Sequence, residues 1–342
     1  FVKQINWGII GLGNIALKFA DGFKSVDNAK LIGISSKSKQ KLQKFKEEFH
    51  IEENFCFNDY ESLLKCKDID IVYIALPNSL HYEWILKCIK EGKKVLCEKP
   101  ATVNFSQIKK IKEAILKKKL LFAEALMYRY HPQIIKVMEL INENEIGKLI
   151  SMESYFGSNI LTKKNFFGFR KINEENRIYN KELGGGAILD LGCYPSSFSL
   201  LISSLVPNIN YNQIEVLNVK KEVGRTGVDL DSYAELNFSN KLNAKIGASF
   251  TQNLGKKTKI IGDNGELEIE DTWHGDPSLI NIKGKNSYQI KVESRKNIYS
   301  YEIEHLSKCI IENKQEANFP GMKLNDTIIN MKILEDWLNH EK

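Results

Sequence analysis

The sequence predicts an α/β protein in two parts: an N-terminal doubly wound parallel sheet, then an α+β part with a large, mainly antiparallel sheet. Three observations predict it. Over the first third of the chain, apolar strand patterns alternate with amphipathic helical ones. A glycine-rich turn joins the first of those strands to the first helix. Beyond about residue 125 the pattern changes to strands of alternating polarity. With 342 residues the chain exceeds one ordinary core and suits two domains, placed at residues 1–125 and 126–342.

Ile5 to Ile10 reads as an apolar strand and Gly11-Leu12-Gly13-Asn14-Ile15-Ala16 as the turn after it. The next helix sets Ile15, Phe19 and Phe23 on one face. Lys30 to Ser35 is a second strand. Asp70 to Leu76 (DIVYIAL) is a continuous apolar strand, as expected where helices cover both faces of a sheet. Ser79 to Glu91 is a helix closed by Gly92, and Lys94 to Cys97 is the strand that follows. Asn104 opens a helix with Gln107 in the capping-box position and Ile108, Ile111 and Ile115 as its buried stripe. Leu120 to Ala123 completes the parallel sheet. A helix with Ile134, Met138 and Ile141 in register leads into the strand-rich part. There Ala234, Leu236 and Phe238 share one face, as do Leu242, Ala244, Ile246, Ala248 and Phe250. Asn264-Gly265 is a two-residue hairpin signal within Lys259 to Glu270. Ile280, Ile282, Ile290 and Val292 continue the alternation, and a helix from Asn325 to His340 ends the chain. One face of this sheet is buried. The other covers a pocket or meets another subunit, so a homodimer or homotetramer through the C-terminal sheet is expected.

Composition narrows the function. The chain is 42% hydrophobic and 27% charged, as in globular proteins that work in water. No apolar run approaches the roughly 20 residues that span a bilayer. The start, FVKQINWGII, lacks the segments of a signal peptide, so a cytoplasmic location is expected. The net charge of +6 invites a nucleic-acid reading, which fails because 44 of the 49 basic residues are Lys and five are Arg. The basic balance at most helps draw in an anionic ligand. The six cysteines form no CxxC pair and read as reduced thiols. His305 and Cys309 stand one helical turn apart, but two ligands do not make a zinc site, and no metal is expected.

The turn GLGNIA has the G-x-G-x-x-A form of a dinucleotide fingerprint. Gly11 allows a tight turn, Gly13 lets backbone approach a pyrophosphate, and Ala16 permits close helix–strand packing. Asn14 and Ile15 open the helix, whose N-terminal N–H groups suit phosphate oxygens. Alone the motif is weak; after an apolar strand and before an amphipathic helix it is strong. At the end of the second strand an NAD site usually has Asp or Glu to bind the ribose hydroxyls. This chain has Ser36 and Lys37, which suit a 2′-phosphate. The reading is therefore NADP(H) first and NAD(H) second, with an ordinary polar loop as the competing account.

Leu76-Pro77-Asn78-Ser79-Leu80-His81 and Gly92-Lys93-Lys94-Val95-Leu96-Cys97-Glu98-Lys99-Pro100 together resemble the signature of the Gfo/Idh/MocA oxidoreductases. The likeness continues through Glu124 to Pro132 and through Gly184-Gly185-Gly186-Ala187-Ile188-Leu189-Asp190-Leu191-Gly192-Cys193-Tyr194, closest to the dimeric dihydrodiol dehydrogenase and sugar 1-dehydrogenase branch. It implies a Rossmann domain and a nicotinamide-dependent dehydrogenase. It also implies Lys99, Tyr194 and Asp190 as catalytic groups, and Leu76, Pro77, Asn78, His81, Glu98 and Lys99 beside the cofactor. Tyr128, Arg129, Asp190 and Tyr194 would face a small-molecule substrate. Lys99 would hydrogen-bond the reacting oxygen, Tyr194 would exchange its proton, and Asp190, four residues before Tyr194, would orient it or bind a substrate hydroxyl. Without the resemblance Lys99 reads as a surface lysine, Tyr194 as a core tyrosine and Arg129 as a structural donor. A non-catalytic NADP-binding sensor and a nucleotide-sugar oxidoreductase are the alternatives. The loop from Ser154 to Tyr179, with Phe166, Phe167, Phe169, Arg170 and Arg177, is expected to face ligand or partner subunit.

Overall fold

A computed structural model describes residues 3–160, 176–294 and 297–340. Phe166, Phe167, Phe169 and Arg170 lie outside the described residues. Two compact units form: one from the described residues through Tyr130 plus Asn297 to Thr327, the other from His131 to Ser294 plus Ile328 onward.

In the first unit β1 (Ile5–Ile10), α1 (Asn14–Asp21), β2 (Ala29–Ser35), α2 (Lys39–Phe49), β3 (Cys56–Phe57), α3 (Tyr60–Lys65), β4 (Ile71–Ile74), α4 (Asn78–Lys90), β5 (Lys94–Glu98), α5 (Phe105–Lys118) and β6 (Phe122–Ala125) follow in order. All strands are parallel, in the order β3-β2-β1-β4-β5-β6, the Rossmann arrangement expected from the alternating sequence. Strand and helix ends fall where the local chemistry stops them. Gly92, at φ +74°, follows α4. The Asn104 side chain caps α5 by accepting from Gln107 N at 3.0 Å, while Gln107 reaches back to Val103 N at 3.3 Å. The core gathers Trp7, Ile9, Phe19, Ile34, Tyr73 and Leu96.

The second unit begins with α6 (Pro132–Asn142) and β7 (Leu149–Gly157), then α7 (Cys193–Ser203) and the strands β8 (Ile214–Val223), β9 (Asp229–Phe238), β10 (Leu242–Ser249), β11 (Thr258–Gly262), β12 (Gly265–Ile269), β13 (Leu279–Lys283) and β14 (Tyr288–Lys291). The sheet order is β14-β13-β12-β11-β7-β10-β9-β8. Only the β7–β10 pair is parallel; every other neighbour is antiparallel. The buried face carries Leu236, Phe238, Leu242, Ala244 and Ile246, as the period-two pattern requires. The hairpin sits one residue earlier than expected. Gly262 pairs with Gly265, so Asp263-Asn264 is the turn and Gly265 already belongs to β12.

α8 (Ile298–Ile311) and α9 (Leu324–Asn339) complete the chain. α8 returns to the first unit, although the sequence placed everything past 125 in the second domain. Its Ile303, Leu306, Cys309 and Ile310 join the core under β1 and β2, and Ser307 Oγ accepts from Trp7 Nε1 at 2.9 Å. Burying side chains of this size is worth about 1.5–3 kcal/mol each, enough to hold the helix there. His305 and Cys309 both turn to one backbone residue: His305 Nε2 lies 3.0 Å from Asn318 O, and Asn318 N donates to Cys309 Sγ at 3.4 Å.

Candidate active site

The first unit presents its predicted residues along the carboxyl edge of the parallel sheet. At the end of β1, Gly11 has φ +88°, and an added Cβ would lie 2.5 Å from Ala75 O, so only glycine fits. Gly13 differs. Its φ of −93° suits any residue, and a Cβ there would meet nothing within 4 Å. No packing inside the protein calls for glycine at 13; the space in front of it is open. Asn14 is exposed and Ile15 half-buried at the first turn of α1, whose leading N–H groups have no intrahelical acceptor.

At the end of β2 the Ser36 hydroxyl is nearly buried and accepts from Ser38 N at 3.1 Å, while Lys37 is exposed. No carboxylate stands among residues 35–38. At the end of β4, Leu76 and Pro77 are half-buried and Asn78, the first residue of α4, is buried. His81 is fully buried, with Nδ1 2.8 Å from Pro100 O and Nε2 2.8 Å from Leu76 O. Its ring therefore lies inside the protein, between two stretches of backbone.

Glu98 and Lys99 close β5, both half-buried. Glu98 accepts from the Tyr73 hydroxyl and, at 3.3 Å, from Lys99 N. Burial, the Glu98 carboxylate and the bond to it hold the Tyr73 phenol far above the ordinary range, so Tyr73 is a permanent donor. Ala101 N donates to Glu124 Oε1 at 2.9 Å. Burial pushes the Glu124 carboxyl up to about 7, against the pull of the Ala101 N–H and of the Arg129 and Lys99 charges. Sequence reasoning passed over Glu124. Its signals are an acid alone in an apolar strand, Phe122-Ala123-Glu124-Ala125, and its place at the start of the family-like segment Glu124 to Pro132.

Tyr128 and Arg129, read as substrate contacts, are buried within the first unit. The Arg129 guanidinium donates from Nη1 to Asp326 Oδ2 at 3.1 Å. A buried cation needs such a partner, which favours the structural reading of Arg129.

In the second unit the three glycines lead into a π-helical turn, Ile188–Gly192, that runs directly into α7. At Gly185 and Gly186 the chain itself fills the space that a side chain would take. A Cβ on Gly185 would lie 2.6 Å from Ile178 O, and one on Gly186 (φ +111°) 2.3 Å from Asp229 Oδ1. Asp229, buried, accepts from Ile188 N at 2.6 Å and so anchors the turn; burial raises its carboxyl above the usual carboxylate range. Asp190 rides on this turn, its Oδ1 3.4 Å from Arg177 Nη1. Arg177 is about half exposed, so the pair is weak. Tyr194, in the first turn of α7, is 7% exposed. Its ring stands edge-on to Phe156 at 5.1 Å and to Trp273 at 5.6 Å. Trp273 is fixed by donating from Nε1 to Tyr155 O at 3.0 Å. Neither Phe156 nor Trp273 was singled out by sequence: Phe156 lies in β7, which runs to Gly157 where a loop from Ser154 was expected, and Trp273 lies in a turn between strands.

Comparison with known proteins agrees with this layout. The model "Oxidoreductase family, NAD-binding Rossmann fold" of the Gfo/Idh/MocA group matches residues 5–125, and the "GFO/IDH/MocA C-terminal domain" matches residues 134–268. The trans-1,2-dihydrobenzene-1,2-diol dehydrogenase of Xenopus tropicalis is 27% identical over 97% of this chain and 96% of its own. The D-xylose 1-dehydrogenase (NADP(+)) of Hypocrea jecorina is 32% identical over 56% of this chain and 51% of its own. Among solved structures, an aldose-aldose oxidoreductase from Caulobacter crescentus superposes with TM-score 0.84 at 20% identity, covering 98% of this chain and 96% of that one. A 3-ketoreductase from Actinomadura kijaniata, solved with NADP and TDP-benzene, superposes with TM-score 0.80 at 21% identity over 98% and 97%. These two likenesses concern the fold.

Proposed function

Because the chain belongs to the Gfo/Idh/MocA oxidoreductase family, we propose that it is an NADP-dependent dehydrogenase or reductase acting on a sugar, diol or small carbonyl compound. Bound NADP(H) supplies the hydride donor or acceptor. The observation that carries the cofactor reading is Gly13, a glycine that no contact within the protein requires, facing open space beside uncapped helix N–H groups. Ser36 and Lys37, with no acid at the β2 edge, favour a 2′-phosphate and so NADP(H) over NAD(H). Dinucleotide binding falls to residues 1–125, and substrate and subunit contacts to the chain beyond.

Lys99 ends its strand where doubly wound sheets bind ligands, and its ammonium stabilises negative charge on the reacting oxygen. Tyr194 gives or takes the proton at its phenol oxygen. Asp190, on the turn that leads into α7, binds a substrate hydroxyl. The diol and D-xylose relatives favour a polyhydroxylated substrate. A nucleotide-sugar substrate is the second reading, favoured by a dTDP-sugar 3-reductase of Saccharopolyspora spinosa, 26% identical over 78% of this chain.

The test is NADP(H) turnover against aldoses, trans-dihydrodiols, α-diketones and dTDP-ketosugars, with Lys99→Ala alongside. Turnover of one class is expected, with kcat about 10²–10³-fold lower in the variant. NADPH binding without turnover across the panel would instead favour a sensor. Subunit pairing through the outer face of β7, β10, β9 and β8 and a reducing, cytoplasmic setting for six free thiols complete the proposal. Among the described residues no helix is long and apolar enough to cross a membrane.

A further inference from the structure

Pro100 O and Ala101 N are the two polar ends of one peptide unit, the one that follows Lys99-Pro100. Each end is held by a buried side chain that the proposed chemistry does not use. On the carbonyl side stands His81, whose second nitrogen meets Leu76 O. A carbonyl oxygen only accepts, so the ring nitrogen that carries the proton donates, and the ring spans the space between the two carbonyls. On the amide side, Ala101 N–H donates to Glu124 Oε1, and a carboxyl oxygen accepts there in either protonation state. His81 is 0% exposed and Glu124 2%. At such depth these bonds do not compete with water, and charge-assisted ones are about twice as strong as neutral ones. The charges of Arg129 and Lys99 both act on Glu124, and Arg129 also pairs with Asp326.

We propose that His81 and Glu124 are positioning residues: they grip the Pro100–Ala101 peptide from its two ends, fix the turn that carries Lys99, and tie it through Leu76 O to the turn after β4. β4 and β5 are sheet neighbours, so one buried ring bridges the two turns expected to meet the cofactor. The effect on turnover rests on the catalytic reading of Lys99; the clamp itself does not.

The experiment uses NMR on the full chain: hydrogen exchange at Ala101 N–H, the ring ¹⁵N shifts of His81, and the backbone and side-chain resonances of Lys99. Wild type, Glu124→Ala, Glu124→Gln, His81→Gln and Lys99→Ala are compared, with thermal melts to confirm folding. The expected result has a single His81 tautomer, and His81→Gln displaces the Lys99 resonances. Glu124→Ala lowers Ala101 protection about 10–100-fold and displaces the Lys99 resonances. Glu124→Gln, whose amide oxygen still accepts, keeps protection within about threefold. Lys99→Ala leaves the clamp signals in place, so an error about Lys99 chemistry and an error about the clamp are read apart. Lys99 resonances unmoved by His81→Gln, or Ala101 exchange indifferent to Glu124→Ala, overturns the proposal.

Discussion

Replacing Gly13 by alanine separates folding from cofactor binding. At φ −93° alanine is unstrained, and its methyl meets no protein atom within 4 Å. The folded state therefore loses nothing, while the unfolded chain loses freedom worth about 0.4–1 kcal/mol. At about 2–4 °C per kcal/mol the melting temperature rises by about 1–4 °C. The same methyl stands where a pyrophosphate approaches the N-terminus of α1, and a methyl forced into a close contact costs about 1–3 kcal/mol, or about 10–100-fold in NADPH affinity. Gly11→Ala is the control. Its φ of +88° and the Ala75 oxygen 2.5 Å away destabilise the fold itself by about 1–3 kcal/mol or more. Differential scanning fluorimetry and NADPH fluorescence titration read both quantities. If Gly13→Ala melts as low as Gly11→Ala, or binds NADPH like the wild type, the argument from open space is wrong.

Tyr194→Phe keeps the aromatic contacts with Phe156 and Trp273 and removes only the proton-exchanging oxygen. It should lower kcat about 10²–10⁴-fold with a melting temperature close to wild type in a thermal scan. Lys37→Glu should weaken NADPH about 10–100-fold and leave NADH nearly unchanged by titration; equal losses for both would exclude Lys37 from the 2′-phosphate. Glu302, on α8, is fully buried, and its oxygens find no hydrogen-bond donor among the described residues. Burial, then the nearby Glu98 charge, raise its carboxyl well above the usual range. The folded protein thus holds a proton that the unfolded chain releases above about pH 4.5, and stability falls as pH rises toward the folded-state value. Glu302→Leu should stabilise the protein by about 1–3 kcal/mol, more at pH 9 than at pH 5, in denaturant titrations; a gain independent of pH would refute the linkage.

Much of the fold is legible in local pattern because local physics sets it. The alternation of Leu242 to Phe250 fixes which face of β10 is buried, and the Asn104–Gln107 pair marks where α5 begins. Gly11 is readable because its backbone conformation excludes other residues. The site is less legible, since its parts depend on distant chain. Trp7 and Ser307 meet across 300 residues, which no window of sequence shows. The π turn over Ile188–Gly192 has no local signature, so the α-helical spacing assumed for Asp190 and Tyr194 does not carry over unchanged. His81 and Glu124 have meaning only once the turn after β5 is folded between them.

The central claim is that the Lys99 ammonium stands beside the reacting oxygen. A crystal structure of the protein with NADP⁺ bound measures this through the distance from Lys99 Nζ to the nicotinamide carbon that carries the hydride. One hydrogen bond and one hydride-transfer contact separate the two atoms, so the account predicts about 6 Å or less. A lysine amine pointing into bulk water, more than about 10 Å from that carbon, would contradict it.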